Sequence, residues 1–298
     1  MRKAIESCLI VSGLPDLVRW RGGTLILAYH NIVPDGDLPS GDLSLHLSQR
    51  AFATQLDLLQ ETHDVIPLNE AISSDWIAGR PPRVAITFDD AYRGAVTVGV
   101  QELAARSLPA TIFVAPAFVG GGTFWWDALA GADSGSLDAG LRERALELWR
   151  GVDRDVRAGA RAFGTFEQPV PDHARCASEA ELTRTATVAG IELGSHSWSH
   201  PNLARLDGVE LADELDRPLV WLRERFPRVS TVLSYPYGRA SVATQRAAAE
   251  SGYAAALRID GGWLPRARHS PYALPRMNIP GGVSGNGFIL RTSGVFAR

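Results

Sequence analysis

An alternation limits how this chain can fold more than any other feature. Short apolar, β-rich runs recur along its 298 residues. Each is followed by a polar or glycine-rich break, then by a stretch with apolar residues at three- and four-residue spacing. The runs are Thr24–Tyr29 (TLILAY), Arg83–Phe88 (RVAITF), Ala110–Val114 (ATIFV), Ile191–Ser195 (IELGS), Thr231–Tyr235 (TVLSY) and Tyr253–Leu257 (YAAAL), with a weaker one at Leu274–Ile279. Helical patterns occupy 51–63, 91–107, 178–190, 208–226 and 241–252, and Ser178 with Glu181 forms a capping box at the third of these. Strands that alternate with helices imply a parallel sheet, because a parallel neighbour is reached only by a crossover. Six or seven repeats predict an α/β fold, a closed or nearly closed barrel whose reactive residues stand where strands end and loops begin. The stretch 118–171 is long and irregular for one connection. It reads as a helical insertion beside the barrel, within a single domain spanning residues 1–298.

Composition narrows the class. Hydrophobic residues make up 45% and charged residues 21%, which supports a sizeable core and argues against global disorder. The formal net charge is −3 and the basic residues are scattered, so no nucleic-acid surface is expected. Cys8 and Cys176 make neither a disulfide framework nor a CxxC metal site. The first twenty residues, MRKAIESCLIVSGLPDLVRW, form a poor secretory core and are too short in apolar length to span a bilayer. They read as an amphipathic first helix. The expectation is a cytoplasmic protein with no transmembrane segment, placed near the inner membrane face.

Three strand ends carry candidate chemistry. RVAITF runs into Asp89 and Asp90. Neighbours on a strand point to opposite faces, so both carboxylates face one cleft only if the chain is leaving the strand there. A turn-and-cap pair is the alternative reading. His196 and His200 follow IELGS four residues apart, a spacing that puts two imidazoles on one face of a helical turn and suits one divalent ion. A packed pair is the alternative. His30 ends TLILAY, as a general acid at the cleft or as a core histidine. Two histidines and a carboxylate would make a three-ligand site with open positions, leaving a second carboxylate to deprotonate water.

These pieces resemble the polysaccharide deacetylase, or NodB-homology, family of carbohydrate esterases over about Thr24 to Ile279. Thr87-Phe88-Asp89-Asp90-Ala91 is similar to the family's TFDDG, His196-Ser197-Trp198-Ser199-His200 to H[ST]xxH, and Ser234-Tyr235-Pro236-Tyr237-Gly238 to xYPYG. The resemblance implies a distorted (β/α)7 TIM-like barrel, with Asp89 as catalytic base and Asp90, His196 and His200 as ligands of one divalent metal. That metal would be zinc, with cobalt, nickel and iron as alternatives. LAYHNI is similar to the start of the poly-N-acetylglucosamine deacetylase branch, which makes His30 the acid, with His269 a rival. Ala91 replaces a usual Gly, a mild change. Ser234 replaces a usual Arg that orients the base, and Arg276 is the candidate to supply the guanidinium instead. Tyr235, Pro236, Tyr237, Trp126 and Arg276 are the expected substrate contacts. At least one of Phe124, Trp125 and Trp126 is expected to line the cleft.

The implied activity is metal-dependent removal of N-acetyl groups from a sugar, polymeric or carried on a lipid or nucleotide. The backbone N–H of Tyr237 would help hold the oxyanion. A deformylase or other amidohydrolase, and a silent carbohydrate-binding protein, are alternatives on the same scaffold. A glycosidase ranks below them, since it needs carboxylates on opposite sides of a sugar.

Overall fold

The computed structural model describes residues 2–15, 22–73, 75–131, 134–264 and 270–295. Its strands are β1 (Thr24–Tyr29), β2 (Asn31–Val33), β3 (His46–Ser48), β4 (Asp64–Val65), β5 (Arg83–Phe88), β6 (Ala110–Val114), β7 (Ile191–Ser195), β8 (Val229–Ser234), β9 (Ala255–Leu257) and β10 (Met277–Asn278). The main sheet runs β10-β1-β5-β6-β7-β8-β9, with β4 beside the start of β5, and every pairing is parallel. A lone parallel bridge between Leu257 and Leu274 ties the β9 edge to the segment leading into β10. The sheet therefore curls round until its two edges meet. This is the distorted (β/α)7 barrel expected from the alternation.

Strands β1, β5, β6 and β7 have the predicted bounds. Each is an almost wholly buried run, as a parallel strand covered on both faces must be. The last three are displaced: β8 ends one residue early, β9 starts at Ala255, and β10 is reduced to two residues. Helices cover the outside. The one at Glu179–Thr187 starts with the predicted capping box. Ser178 accepts from the Glu181 N–H, and Glu181 accepts from the Ser178 N–H. Another helix, Val242–Glu250, carries a second box of Ser241 and Thr244. The first helix, Arg2–Val11, lies against Gly285–Thr292, with Ser284 donating to Glu6 at 2.6 Å.

The long β6–β7 connection contains three helices, Trp125–Ala128, Ala139–Glu147 and Asp153–Ala162. They lie against the barrel end where β5, β7 and β8 finish. Among the described residues no helix is long and apolar enough to cross a membrane.

Candidate active site

β5 stops at Phe88, and the Asp89 N–H still donates to Tyr29 O at 2.9 Å. Asp90 and Ala91 then take φ of 69° and 47°. Two consecutive left-handed residues turn the chain sharply off the strand, which is how neighbouring carboxylates come to share one cleft. Ala91, in the place of the family's Gly, bears this conformation with a Cβ, at a cost of about 1–2 kcal/mol.

Asp89 is buried and held on both oxygens. Arg276 donates from Nη1 to Oδ1 at 2.8 Å and from Nη2 to Oδ2 at 2.7 Å. The Ser234 hydroxyl donates to Oδ1 at 3.1 Å and accepts from Arg276 Nη2 at 2.7 Å, while Arg276 Nη1 also reaches Thr87 Oγ1. Burial alone would raise the Asp89 carboxyl. The Arg276 charge, the nearby imidazoles and the guanidinium hydrogen bonds outweigh it and hold the group well below the usual carboxylate range. Asp89 is thus an ionised carboxylate with fixed orientation. Arg276, from just before β10, occupies the role considered for it in place of Ser234. It is 0% exposed behind the carboxylate, so the expected substrate contact by Arg276 is corrected: its donors are used on Asp89, Ser234, Thr87 and the Arg258 carbonyl.

The two histidines converge, but not on a helical turn as their spacing suggested. Residues 196–200 form a loop in which Ser197 and His200 both have positive φ, 61° and 60°. Those reversals, rather than helical periodicity, bring the rings together. His196 Nε2 and His200 Nε2 lie 3.1 Å apart, and they stand 3.5 and 3.2 Å from Asp90 Oδ1. Bonds of about 2.0–2.1 Å in a tetrahedral site put ligand atoms about 3.3–3.4 Å apart, so these three atoms already have the spacing of one face of such a site. Asp90 Oδ1 is buried and has no hydrogen-bond donor among the described residues. The His196 Nδ1 lies 2.8 Å from Ser234 O, which fixes the tautomer that leaves Nε2 free as a donor to metal. Burial lowers the His196 pKa to about 4 against the pull of Asp89, keeping the ring neutral. The donor set fits a divalent metal, and no other such cluster occurs among the described residues.

The group lies at the floor of a cleft of about 280 Å³, also lined by His30, Trp125, Trp126 and Tyr237. His30 thus reaches the same cavity as Asp89 and Asp90, and its Nδ1 is buried without a hydrogen-bond partner among the described residues. His269 lies outside the described residues. The Trp126 and Tyr237 rings pack on His200, with centroids 4.7 and 4.6 Å away. Trp125 Nε1 donates to the Tyr237 hydroxyl at 3.0 Å, joining the β6–β7 connection to the loop after β8. Phe124, by contrast, is buried beneath Trp126.

Tyr235 and Pro236 do not line the cleft, which corrects their expected substrate contact. Ser234 turns inward to Asp89, so its neighbour Tyr235 turns outward into a cluster with Leu203 and Leu215, where its hydroxyl donates to Tyr272 O. Pro236 is buried and begins the turn that lifts Tyr237 to the surface of the cleft.

Sequence reasoning missed a buried network behind Trp126. Trp126 Nε1 donates to the Tyr92 hydroxyl, which donates to Asp127 Oδ2 at 2.6 Å, and Asp127 Oδ1 meets His46 Nε2 at 2.9 Å. Its members come from three segments, so no spacing announced it.

With this geometry in hand, a sequence model described as polysaccharide deacetylase matches residues 77–256. The chain belongs to the polysaccharide deacetylase family. The curated protein YxkH of Bacillus subtilis (strain 168) is 30% identical over 99 residues, a match covering 33% of this chain and about a third, 35%, of YxkH. Among solved structures, the Streptococcus pyogenes deacetylase PplD, in complex with acetate, superposes with a TM-score of 0.63 at 17% identity, covering 90% of this chain and 97% of that one. IcaB from Ammonifex degensii superposes at 0.59 with 18% identity, covering 92% and 96%. At such identities these structures speak to the fold alone. The matched family segment holds Asp89, Asp90, His196, His200 and Tyr237 but stops short of Arg276.

Proposed function

We propose that this chain is a metal-dependent hydrolase that removes the acetyl group from an N-acetylated sugar. The observation that carries the reading is the juxtaposition at the cleft floor. A neutral, tautomer-fixed imidazole, a second imidazole and an unpartnered carboxylate oxygen lie at tetrahedral spacing beside an ionised aspartate gripped by Arg276. Asp90, His196 and His200 would hold one divalent ion, zinc by preference. When bound it would polarise the acetyl carbonyl and acidify water.

The protein's own groups do the rest. Asp89 accepts the proton of the attacking water, and its fixed oxygens keep it from rotating away. Arg276 makes this carboxylate less basic but orients it, and stays out of the substrate's path. The backbone N–H of Tyr237 is assigned to the developing oxyanion. His30 is assigned to the departing amine, which leaves only when protonated. Trp125, Trp126 and Tyr237 offer an apolar wall suited to the acetyl methyl or to a sugar face. The whole chain is read as one domain, with the β6–β7 connection as an insertion that forms this wall, placed at the cytoplasmic face of the membrane.

Incubating the purified protein with N-acetylated mono- and oligosaccharides, and with nucleotide- and lipid-linked N-acetyl sugars, tests this with and without added zinc. Zinc-dependent acetate release is the expected result. Formate release from N-formyl sugars with no acetate release would move the chain to the deformylase reading. Binding without turnover would move it to a silent carbohydrate-binding protein.

A further inference from the structure

The two histidines at the cleft floor are held in different ways. The His196 ring is fixed by its own Nδ1 contact to Ser234 O, as a metal-ligating imidazole usually is. The His200 Nδ1 is buried and has no hydrogen-bond partner among the described residues. With no such tie at Nδ1, the direction of the His200 ring is set by the Trp126 and Tyr237 rings packed on it and by the backbone that carries it, a five-residue loop with two left-handed residues.

Besides the backbone ties of His196 and Trp198 to the β6 side, one side chain outside the cleft holds the middle of this loop. Glu214, on the helix Gly208–Arg225, accepts at Oε2 from the N–H groups of Trp198 and Ser199, at 3.0 and 2.8 Å. Its other oxygen accepts from the Ser199 hydroxyl at 2.5 Å. The Trp198 N–H is shared with the Glu214 main-chain carbonyl, also at 3.0 Å. In an ordinary helix that carbonyl would accept from the N–H four residues later. Here the fourth residue on is Pro218, which has no N–H to give. The proline lies inside the helix on its buried face and leaves the carbonyl available to the loop. Arg217, on the same helix, covers the Trp198 ring at 4.0 Å. The loop is closed from within by the Ser197 hydroxyl, which accepts from the His200 N–H at 3.0 Å.

We propose that Glu214 and Pro218 are positioning residues for the metal site. Glu214 binds the middle of the loop through side chain and main chain, and Pro218 supplies the second of these acceptors by withholding an N–H. The inference rests on the reading of Asp90, His196 and His200 as metal ligands. It explains why a mid-helix proline and a carboxylate facing the barrel occur together on an otherwise ordinary amphipathic helix.

The test uses the full chain, stripped of metal, with zinc as the probe in competition with a chromophoric chelator. Urea unfolding of the metal-free protein is measured alongside. Glu214→Gln should weaken zinc binding about tenfold, the lower end of the loss seen when a group supporting a ligand is removed. Pro218→Ala should weaken zinc binding at least threefold while the metal-free protein is as stable as the parent or more so, because the helix gains a hydrogen bond. A merely structural proline would not move the two quantities apart. Zinc affinities within twofold of the parent for both variants, or a loss that only follows lowered stability, would overturn the inference. If Glu214→Gln does not fold, Pro218→Ala decides alone. His200→Ala separates the two readings. If it binds zinc like the parent, the ligand assignment fails. If it loses zinc while Glu214→Gln and Pro218→Ala keep it, only the positioning role fails.

Discussion

Arg276 grips both carboxylate oxygens of Asp89 from 187 positions further along the chain. The pair is buried on both sides, so its parts are unequal in their effects. Replacing Arg276 by Met leaves a carboxylate buried without its cation. That should cost about 3–5 kcal/mol of stability. Ser234→Ala, which leaves the bidentate contact in place, should cost about 1 kcal/mol. Urea unfolding of the two metal-free variants checks the ratio, and equal losses would show that the serine carries more of the site than its geometry suggests.

Asp89→Asn should retain the metal and lose turnover. The amide cannot take a proton from water, and the loss of general-base catalysis is about 10²- to 10⁴-fold in kcat. Metal content and acetate release, measured on the same preparation, check both halves. Normal turnover would put the base elsewhere.

Removing a ligand should do the reverse. His200→Ala and Asp90→Asn are expected to lose bound zinc after gel filtration, with activity falling in step. Elemental analysis reads this directly, and metal content equal to the parent's would remove these residues from the site.

His30→Ala should bind metal normally and lose activity on N-acetyl substrates. An acetyl ester, whose alcohol leaves more readily than an amine, should suffer much less. Equal losses on amide and ester would argue that His30 shapes the cleft rather than delivering a proton.

A control comes from outside the cleft. Ser178 caps its helix through the Glu181 N–H. Ser178→Ala should cost about 1 kcal/mol in urea unfolding and leave zinc affinity unchanged.

Legibility in the sequence followed the physics of each element. β1, β5, β6 and β7 were readable to the residue because a strand buried on both faces is a short, mostly apolar run, and each is preceded by a Gly or Pro. β2 and β3 were not readable, since three residues carry no periodicity. Asp89, Asp90, His196 and His200 were visible as local motifs, but the cause of their convergence was not. It lies in backbone reversals that residue spacing does not encode. Tyr235 was misjudged although the two-residue period of a strand places it opposite Ser234. The grip of Arg276 on Asp89 was visible only as a candidate, and the Tyr92–Asp127–His46 network not at all, because contacts between distant segments leave no trace in local pattern.

Seven non-glycine residues have positive φ among those described, and five of them, Asp90, Ala91, Ser197, His200 and Tyr237, lie in the three loops around the cleft. Glycine would relieve each of them, so the simplest route to a hardier protein runs straight through its active site. Ala91→Gly or Ser197→Gly would ease the backbone, yet would also widen the range of shapes the loops explore. Heat tolerance and turnover should therefore trade against each other at these positions more steeply than anywhere on the outer helices.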